Sequence, residues 1–248
     1  MKNKVVFITG SSSGIGKAIA ILFAKKGANI IISSHSNFND GENVLKELQK
    51  IGGNHMHINC DLSRQNEVKN AFEKIKEKYG RLDILINNAG FSSPERSLSQ
   101  ITEDGLDKVL GANIKSLIWC SQFAVPLMNN GGQIINTSSI RGLDYAGKAL
   151  GYSCAKAAVN SLTKTLALEL APNILVNAVL PGSVSDTKIY NNRSAEVNEA
   201  FAKKLPLKKA ISASEIANCY LFLATQNYLT GTLLLADGGM TLLSNWMG

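Results

Sequence analysis

Cysteine is scarce and scattered, with Cys60, Cys120, Cys154 and Cys219 the four in 248 residues and no C-x-x-C pair among them. A disulfide framework or zinc knuckle is therefore excluded as the organiser of the fold, and a reducing, cytoplasmic location is expected. Histidine is scarcer still. His55 and His57 alternate on an expected strand and project from one face, but no third ligand is evident and no metal is expected. No apolar run reaches the length that spans a bilayer, and too few apolar residues precede Gly10 to form the core of a secretion signal, so no membrane partner is expected. Long polar or repetitive stretches are missing too, and residues 1–248 read as a single ordered domain. Charge lacks clustering: of the net +7, Lys46, Lys50, Lys69, Lys74, Lys76 and Lys78 lie beside Glu42, Glu47, Glu73 and Glu77, as on solvated helix faces. No nucleic-acid partner is expected.

What is present is regular alternation. Apolar runs at Val5–Ile8, Ile30–Ile32, His55–Cys60, Leu82–Asn87, Gln133–Thr137, Leu175–Val179 and Thr232–Ala236 read as seven strands. Between them lie helical patterns, among them Gly151–Leu170, Ala213–Thr225 and one long helix from about Glu103 to Asn129. Strands as uniformly apolar as Ile84-Leu85-Ile86 must be buried on both faces. The expected fold is α/β: a Rossmann-like, doubly wound parallel sheet of seven strands with helices on both faces and ligands beyond the strands' carboxyl ends.

Those ends are rich in small and polar residues. The first strand runs into Thr9-Gly10-Ser11-Ser12-Ser13-Gly14-Ile15-Gly16, a turn almost without side-chain bulk that opens a helix. Helix-terminal amides lack intrahelical partners and carry the positive end of the dipole, so such a turn suits a phosphate. A structural βα turn is the alternative, because the glycines at 10, 14 and 16 depart from the G-x-G-x-x-G order. Tyr152 and Lys156 stand one helical turn apart, with Ser139 at the end of the preceding strand. A free phenol titrates near ~10, and a neighbouring ammonium is expected to favour its ionised form. Tyr152 could then pass a proton to a carbonyl oxygen held by the Ser139 hydroxyl. Asn113 shares a helix face with Leu106, Val109 and Leu110, where an amide must find partners.

Together with Asn87-Asn88-Ala89-Gly90, Val176-Asn177, Pro181-Gly182, Thr230-Gly231 and Asp237-Gly238-Gly239, these residues make the whole chain resemble a short-chain dehydrogenase/reductase, closest overall to the 3-oxoacyl-(acyl carrier protein) reductases. The resemblance implies that Asn113 joins Ser139, Tyr152 and Lys156 as the fourth catalytic residue, holding a water that relays protons from Lys156. It implies a dinucleotide on Gly10, Ser11, Ser12, Ser13, Gly14, Ile15 and Gly16, with Asp61 and Leu62 at the adenine and Asn88, Ala89 and Gly90 at the adenosine. Pro181, Gly182 and Val184 fall to the nicotinamide, and Tyr152 and Lys156 also touch the cofactor. Asp61 reads equally as a cap for the next helix. Relatives are commonly tetramers, with the helices carrying Asn113 and Tyr152 at one interface, and a homotetramer is expected.

At the end of the second strand no acid stands ready for the ribose hydroxyls of NAD. Ser33-Ser34-His35-Ser36 takes its place, so Ser34 and His35 are expected to bind a 2′-phosphate, favouring NADP(H) over NAD(H). Asn129-Asn130-Gly131-Gly132 and Ala171-Pro172-Asn173 lack the arginines expected for docking an acidic carrier. A small ketone, alcohol or sugar is therefore the expected substrate, ahead of an acyl-carrier thioester. Arg141, Tyr145 and Tyr190 are candidate substrate contacts, Arg193 a candidate anion partner, and residues 183–205 a lid. Within that lid Thr187 falls one residue later than the family pattern places it, and Leu242, Leu243 and Trp246 are expected at a subunit interface. A dinucleotide-binding sensor or scaffold without turnover is the alternative from another class.

Overall fold

In the computed structural model, which describes residues 1–92, 97–143, 149–187, 190 and 194–243, the apolar runs become seven parallel strands. Chain order is β1 (Val5–Ile8), α1 (Gly14–Lys25), β2 (Asn29–Ser34), α2 (Phe38–Ile51), β3 (Met56–Asn59), α3 (Gln65–Tyr79) and β4 (Ile84–Asn87). There follow α4 (Glu103–Leu110), α5 (Ser116–Ala124), β5 (Gly132–Thr137), α6 (Leu150–Leu170), β6 (Ile174–Pro181), α7 (Ala195–Lys204), α8 (Ala213–Thr225) and β7 (Leu233–Ala236). The sheet runs β3-β2-β1-β4-β5-β6-β7, so the winding reverses between β1 and β4, and a crevice opens there at the carboxyl ends.

The period of two along each strand explains why both kinds of neighbour are apolar. Val6, Ile8, Ile30 and Ile32 point to a core shared with Ile19 and Phe23 of α1, Val44 and Leu48 of α2, and Ile216 and Tyr220 of α8. Val5, Phe7, Ile31 and Leu85 point the other way, against Val68, Phe72 and Ile75 of α3 and Cys120 of α5. Each such side chain fully withdrawn from water contributes about 1.5–3 kcal/mol, so the two layers lock the sheet from both faces.

Two elements differ from the sequence reading. The long helix expected from Glu103 is interrupted by a π turn at Gly111–Lys115, which widens the helix around Asn113. The segment expected to be a lid contains α7, whose N-cap Ser194 accepts a hydrogen bond from the amide of Val197. The helix escaped notice because its buried stripe is weak: none of its residues is fully buried.

Gly10 and Gly16 bring β1, α1 and β4 into contact. Gly10 sits at φ +61°, and a Cβ built on Gly16 would lie 2.6 Å from both Gly10 O and Asn88 Nδ2. Gly16→Ala should therefore push the turn apart and lower stability by about 1–3 kcal/mol. Thermal unfolding would register this as a reduced Tm, and an unchanged Tm would show that the turn yields freely.

Candidate active site

The glycine turn is tied down by side chains. Ser11 is fully buried, its hydroxyl donates to Ile8 O at 2.7 Å and accepts from Ser33 N at 3.0 Å, and Gly10 N donates to Ser33 Oγ. The Ser11 side chain and the Gly10 amide thus serve the β1–β2 join. Asn88 is similarly committed: its Nδ2 donates to Thr9 O and Gly10 O, while the amides of Asn88 and Ala89 both donate to Thr9 Oγ1 at 2.9 Å. Asn88 therefore braces the turn from β4 and is not itself a free donor. At Ser13, the N-cap of α1, no side-chain bond is made and no acid stands in the first turn, leaving the opening amides near Gly14, Ile15 and Gly16 suited to an anion.

A cavity of about 800 Å³ lies over the crevice, within the range of cofactor sites. Gly10 and Ser12 line it, as do Ser34, His35, Asp61, Leu62, Asn88, Ala89 and Gly90, all of them expected cofactor residues. Lys108, whose Nζ is paired with Asp104 at 2.6 Å, and Lys115 also line the cavity, together with Asp107, and had not been expected. Their spacing of seven on one face was the available signal. Burial raises the Asp61 carboxyl, but bonds from the Ser63 hydroxyl and amide, with His35 and Arg64 nearby, outweigh it and hold Asp61 below the ordinary carboxylate range. Asp61 closes the turn at Ser63 and lines the cavity, but it does not cap α3, whose N-cap is Arg64. The bulk-free turn, the free helix terminus and this cavity fit a dinucleotide.

His55 and His57 do not form a joint ligand pair. His55 Nδ1 accepts from Ile30 N and its Nε2 meets Gly52 O, whereas His57 is held by Glu42 and Ser34. Burial lowers His55, keeping its ring neutral in that setting. Among the described residues, no three His, Cys, Asp or Glu side chains are grouped to hold a metal.

Beyond Gly90 the polar groups converge. Lys156 is buried, its Nζ donates to Thr137 O at 2.8 Å, and it lies 5.4 Å from the centroid of the Tyr152 ring. Asn113, in the π turn, donates from Nδ2 to Val109 O and Phe91 O, while its Oδ1 is buried with no hydrogen-bond partner among the described residues. A Cβ built on Gly90 would sit 2.8 Å from Asn113 Oδ1 and 3.5 Å from Lys156 Nζ, so the glycine lets both close on one spot. Ser139, which caps a short turn by accepting from Arg141 N, also bonds the phenol of Tyr152.

The electrostatics depart from expectation. Burial pushes the Tyr152 phenol up, with the Ser139 hydrogen bond and the Arg141 charge opposing it, and burial brings Lys156 down to about 8. The adjacent ammonium was expected to dominate. Desolvation wins because both groups are enclosed, and an enclosed charge loses more hydration than one neighbour at this distance restores.

On the substrate side, Arg141 is close enough for its charge to act on Tyr152. Tyr190 is held through its carbonyl by Asn198 and through its amide by Thr187 Oγ1. The Thr187 hydroxyl donates to Val184 O at 2.9 Å, and Val184 is buried beside Ile211. Pro181 ends β6, and Gly182 passes so close to Asp237 that a Cβ would lie 2.8 Å from its Cα. Tyr145, Arg193 and Trp246 lie outside the described residues. Leu242 is 81% exposed.

Residues 10–241 match the family profile described as enoyl-(acyl carrier protein) reductase. A 3-oxoacyl-(acyl carrier protein) reductase of Thermotoga maritima is 35% identical over 247 residues, 98% of this chain and 99% of the relative. A 3beta-hydroxysteroid dehydrogenase of Mediterraneibacter gnavus is 32% identical over 263 residues, covering 96% of this chain and 95% of the relative. A short chain dehydrogenase from Burkholderia cenocepacia J2315, solved in complex with NADP, superposes with a TM-score of 0.90 at 31% identity, covering 97% of this chain and 98% of that one. The chain belongs to the short-chain dehydrogenase/reductase family. It is an oxidoreductase acting between carbonyl and CH–OH groups with a nicotinamide dinucleotide.

Proposed function

We propose that this enzyme is NADP(H)-dependent and interconverts the carbonyl and secondary alcohol of a small ketone, alcohol or sugar, with Tyr152 as acid/base. The observation that carries the reading is the gathering of Ser139, Tyr152 and Lys156, with Lys156 Nζ and Asn113 Oδ1 both closing on Gly90 of the dinucleotide cavity. The bound cofactor supplies or accepts the hydride. Ser139 Oγ accepts from Arg141 N and its hydroxyl bonds the Tyr152 phenol, which places it to hold a substrate oxygen beside that phenol. With its phenol raised by burial, Tyr152 holds a proton at neutral pH and donates it to that oxygen during reduction. The phenolate that remains is stabilised by the Lys156 ammonium and the Arg141 charge, and reprotonation runs through Lys156 toward Asn113. Residues 183–205 close over the substrate in this reading.

Preference for NADP(H) is supported by Ser34 and His35 where an acid would serve NAD, by Lys115 in the cavity lining, and by the NADP carried by the Burkholderia cenocepacia structure. A small substrate is supported by the arginine-free loops before β5 and before β6. Exposed Ile118 on α5 and Leu150 and Leu168 on α6 support a tetramer packed through these helices, and four free thiols support a cytoplasmic setting. No helix among the described residues is long and apolar enough to cross a membrane.

A panel of ketones, aldoses and alcohols followed by NADPH absorbance, run beside an acyl-carrier thioester and repeated with NADH, tests the assignment. Turnover of small carbonyls with kcat/KM higher for NADPH is expected, whereas efficient use of the thioester, or preference for NADH, would reverse that half of it. Asn113→Ala should lower kcat by about ten- to a hundredfold while NADPH still binds, because only the proton path is cut. Full turnover in that variant would remove Asn113 from the relay.

A further inference from the structure

We propose that Asn160 is a positioning residue for the reaction: with Ser138 and Gly142 it clamps the turn that carries Ser139 onto helix α6, and so sets the Ser139 hydroxyl against the Tyr152 phenol. The clamp rests on the reading of Ser139 and Tyr152 as the reacting pair.

Ser139 stands at the head of a short turn, Ile140–Gly142, closed on itself by Gly142 N donating to Ser139 O at 2.9 Å and Leu143 N donating to Ile140 O at 3.0 Å. These local bonds fix the turn's shape and not its place. Two side chains fix the place, one on either side of Ser139. On the strand side the buried Ser138 hydroxyl donates to Lys156 O at 3.1 Å. On the far side Asn160 Nδ2 donates to Gly142 O at 3.0 Å. At Gly142 the turn lies directly on the helix: a Cβ built there would stand 2.6 Å from Lys156 O and 2.9 Å from Asn160 Nδ2, so any side chain would lift the turn away.

Tyr152, Lys156 and Asn160 follow one another at intervals of four on α6, so whatever Asn160 and the Lys156 carbonyl hold is referred to the same rigid element that carries the phenol. Packing gives the turn less. Ile140 shares its buried cluster with Leu205 and Met240, a group far smaller than either layer of the sheet. A buried amide is costly unless it is used, and the donation to Gly142 O is the hydrogen bond the Asn160 side chain makes among the described residues, its Oδ1 having no partner there. The reaction needs the hydroxyl and the phenol on one substrate oxygen. A displacement of the turn by about 1 Å would spoil that convergence, and misplacement on this scale costs about a hundredfold in rate.

A double-mutant cycle of Asn160→Leu and Ser139→Ala tests the clamp, read as kcat for reduction of the panel's fastest ketone by NADPH and as the Kd for NADPH. Leucine keeps the volume and deletes the donor. Asn160→Leu alone should lower kcat by about ten- to a hundredfold and leave Kd within a factor of about two, whereas in the Ser139→Ala background it should cost less than about twofold, because the hydroxyl it positions is gone. A residue that merely holds the fold would take the same toll in both backgrounds, and that result would overturn the clamp. So would full turnover in Asn160→Leu beside an impaired Ser139→Ala. Should circular dichroism show Asn160→Leu unfolded, Ser138→Ala, which removes one hydroxyl at the other anchor, goes through the same cycle with the same expected and overturning results. Full turnover in Ser139→Ala, or no reduction of any carbonyl by the native protein, would instead remove the reading of the reacting pair and the clamp with it.

Discussion

Tyr152→Phe should reduce kcat by about 10²- to 10⁴-fold in either direction, the range that a positioned proton donor contributes, and leave NADPH binding within a factor of about two. The substitution deletes one oxygen and keeps the ring beside the Lys156 ammonium, so the packing of α6 is preserved. Fluorescence titration of bound NADPH beside steady-state rates gives both readings from one preparation. The split matters because a protein that merely binds a dinucleotide would show the second result without having a rate to lose. Retained turnover would mean that the proton comes from elsewhere, and Ser139, bonded to the same phenol, would be the next group to replace.

Lys156→Met should be nearly as damaging, by about 10²- to 10³-fold in kcat, because it removes the cation that stabilises the phenolate after proton transfer. Unlike Tyr152→Phe it should also alter the response to pH. Burial holds Lys156 at about 8 in the folded chain against an ordinary 10.5. Below about 8 the amine is charged in folded and unfolded chains alike, and the cost of enclosing that charge is fully present. Between about 8 and 10.5 the folded chain has released the proton and the unfolded chain has not, so this group's contribution to stability rises with pH. The Tm of the native protein should therefore gain on that of Lys156→Met across this interval. Catalysis runs the opposite way: loss of the ammonium above about 8 withdraws support from the phenolate, and the native rate of reduction should fall there. Parallel Tm curves for the two proteins through that range would show that Lys156 titrates as an ordinary amine.

Much of the site could be read from local pattern. Tyr152 and Lys156 share a helix face by spacing alone, and Gly10 and Gly16 announce a turn into which other backbone fits closely. Residues whose duty runs between distant elements were read less well. Ser11 and Asn88 carry the right side chains for binding a ligand, yet their hydrogen bonds go to Ile8, Ser33, Thr9 and Gly10. His57 looked like half of a metal site because its true partners, Glu42 and Ser34, arrive from other elements. Nothing in their linear spacing marks them as neighbours.

The sequence by itself determined the order of strands and helices, the double-sided burial of the sheet, and which side chains were available at each strand end. These follow from periods of two and 3.6 and from glycine's freedom, which act over a few residues. Tertiary structure alone decided how those side chains behave. It raised Tyr152 and lowered Lys156 by enclosing both, brought Asn113 Oδ1 against Gly90 through a π turn, and set Ser34 on His57 and Glu42. Desolvation and hydrogen-bond partnership belong to a position in space, and strands and helices acquire those positions only when they pack.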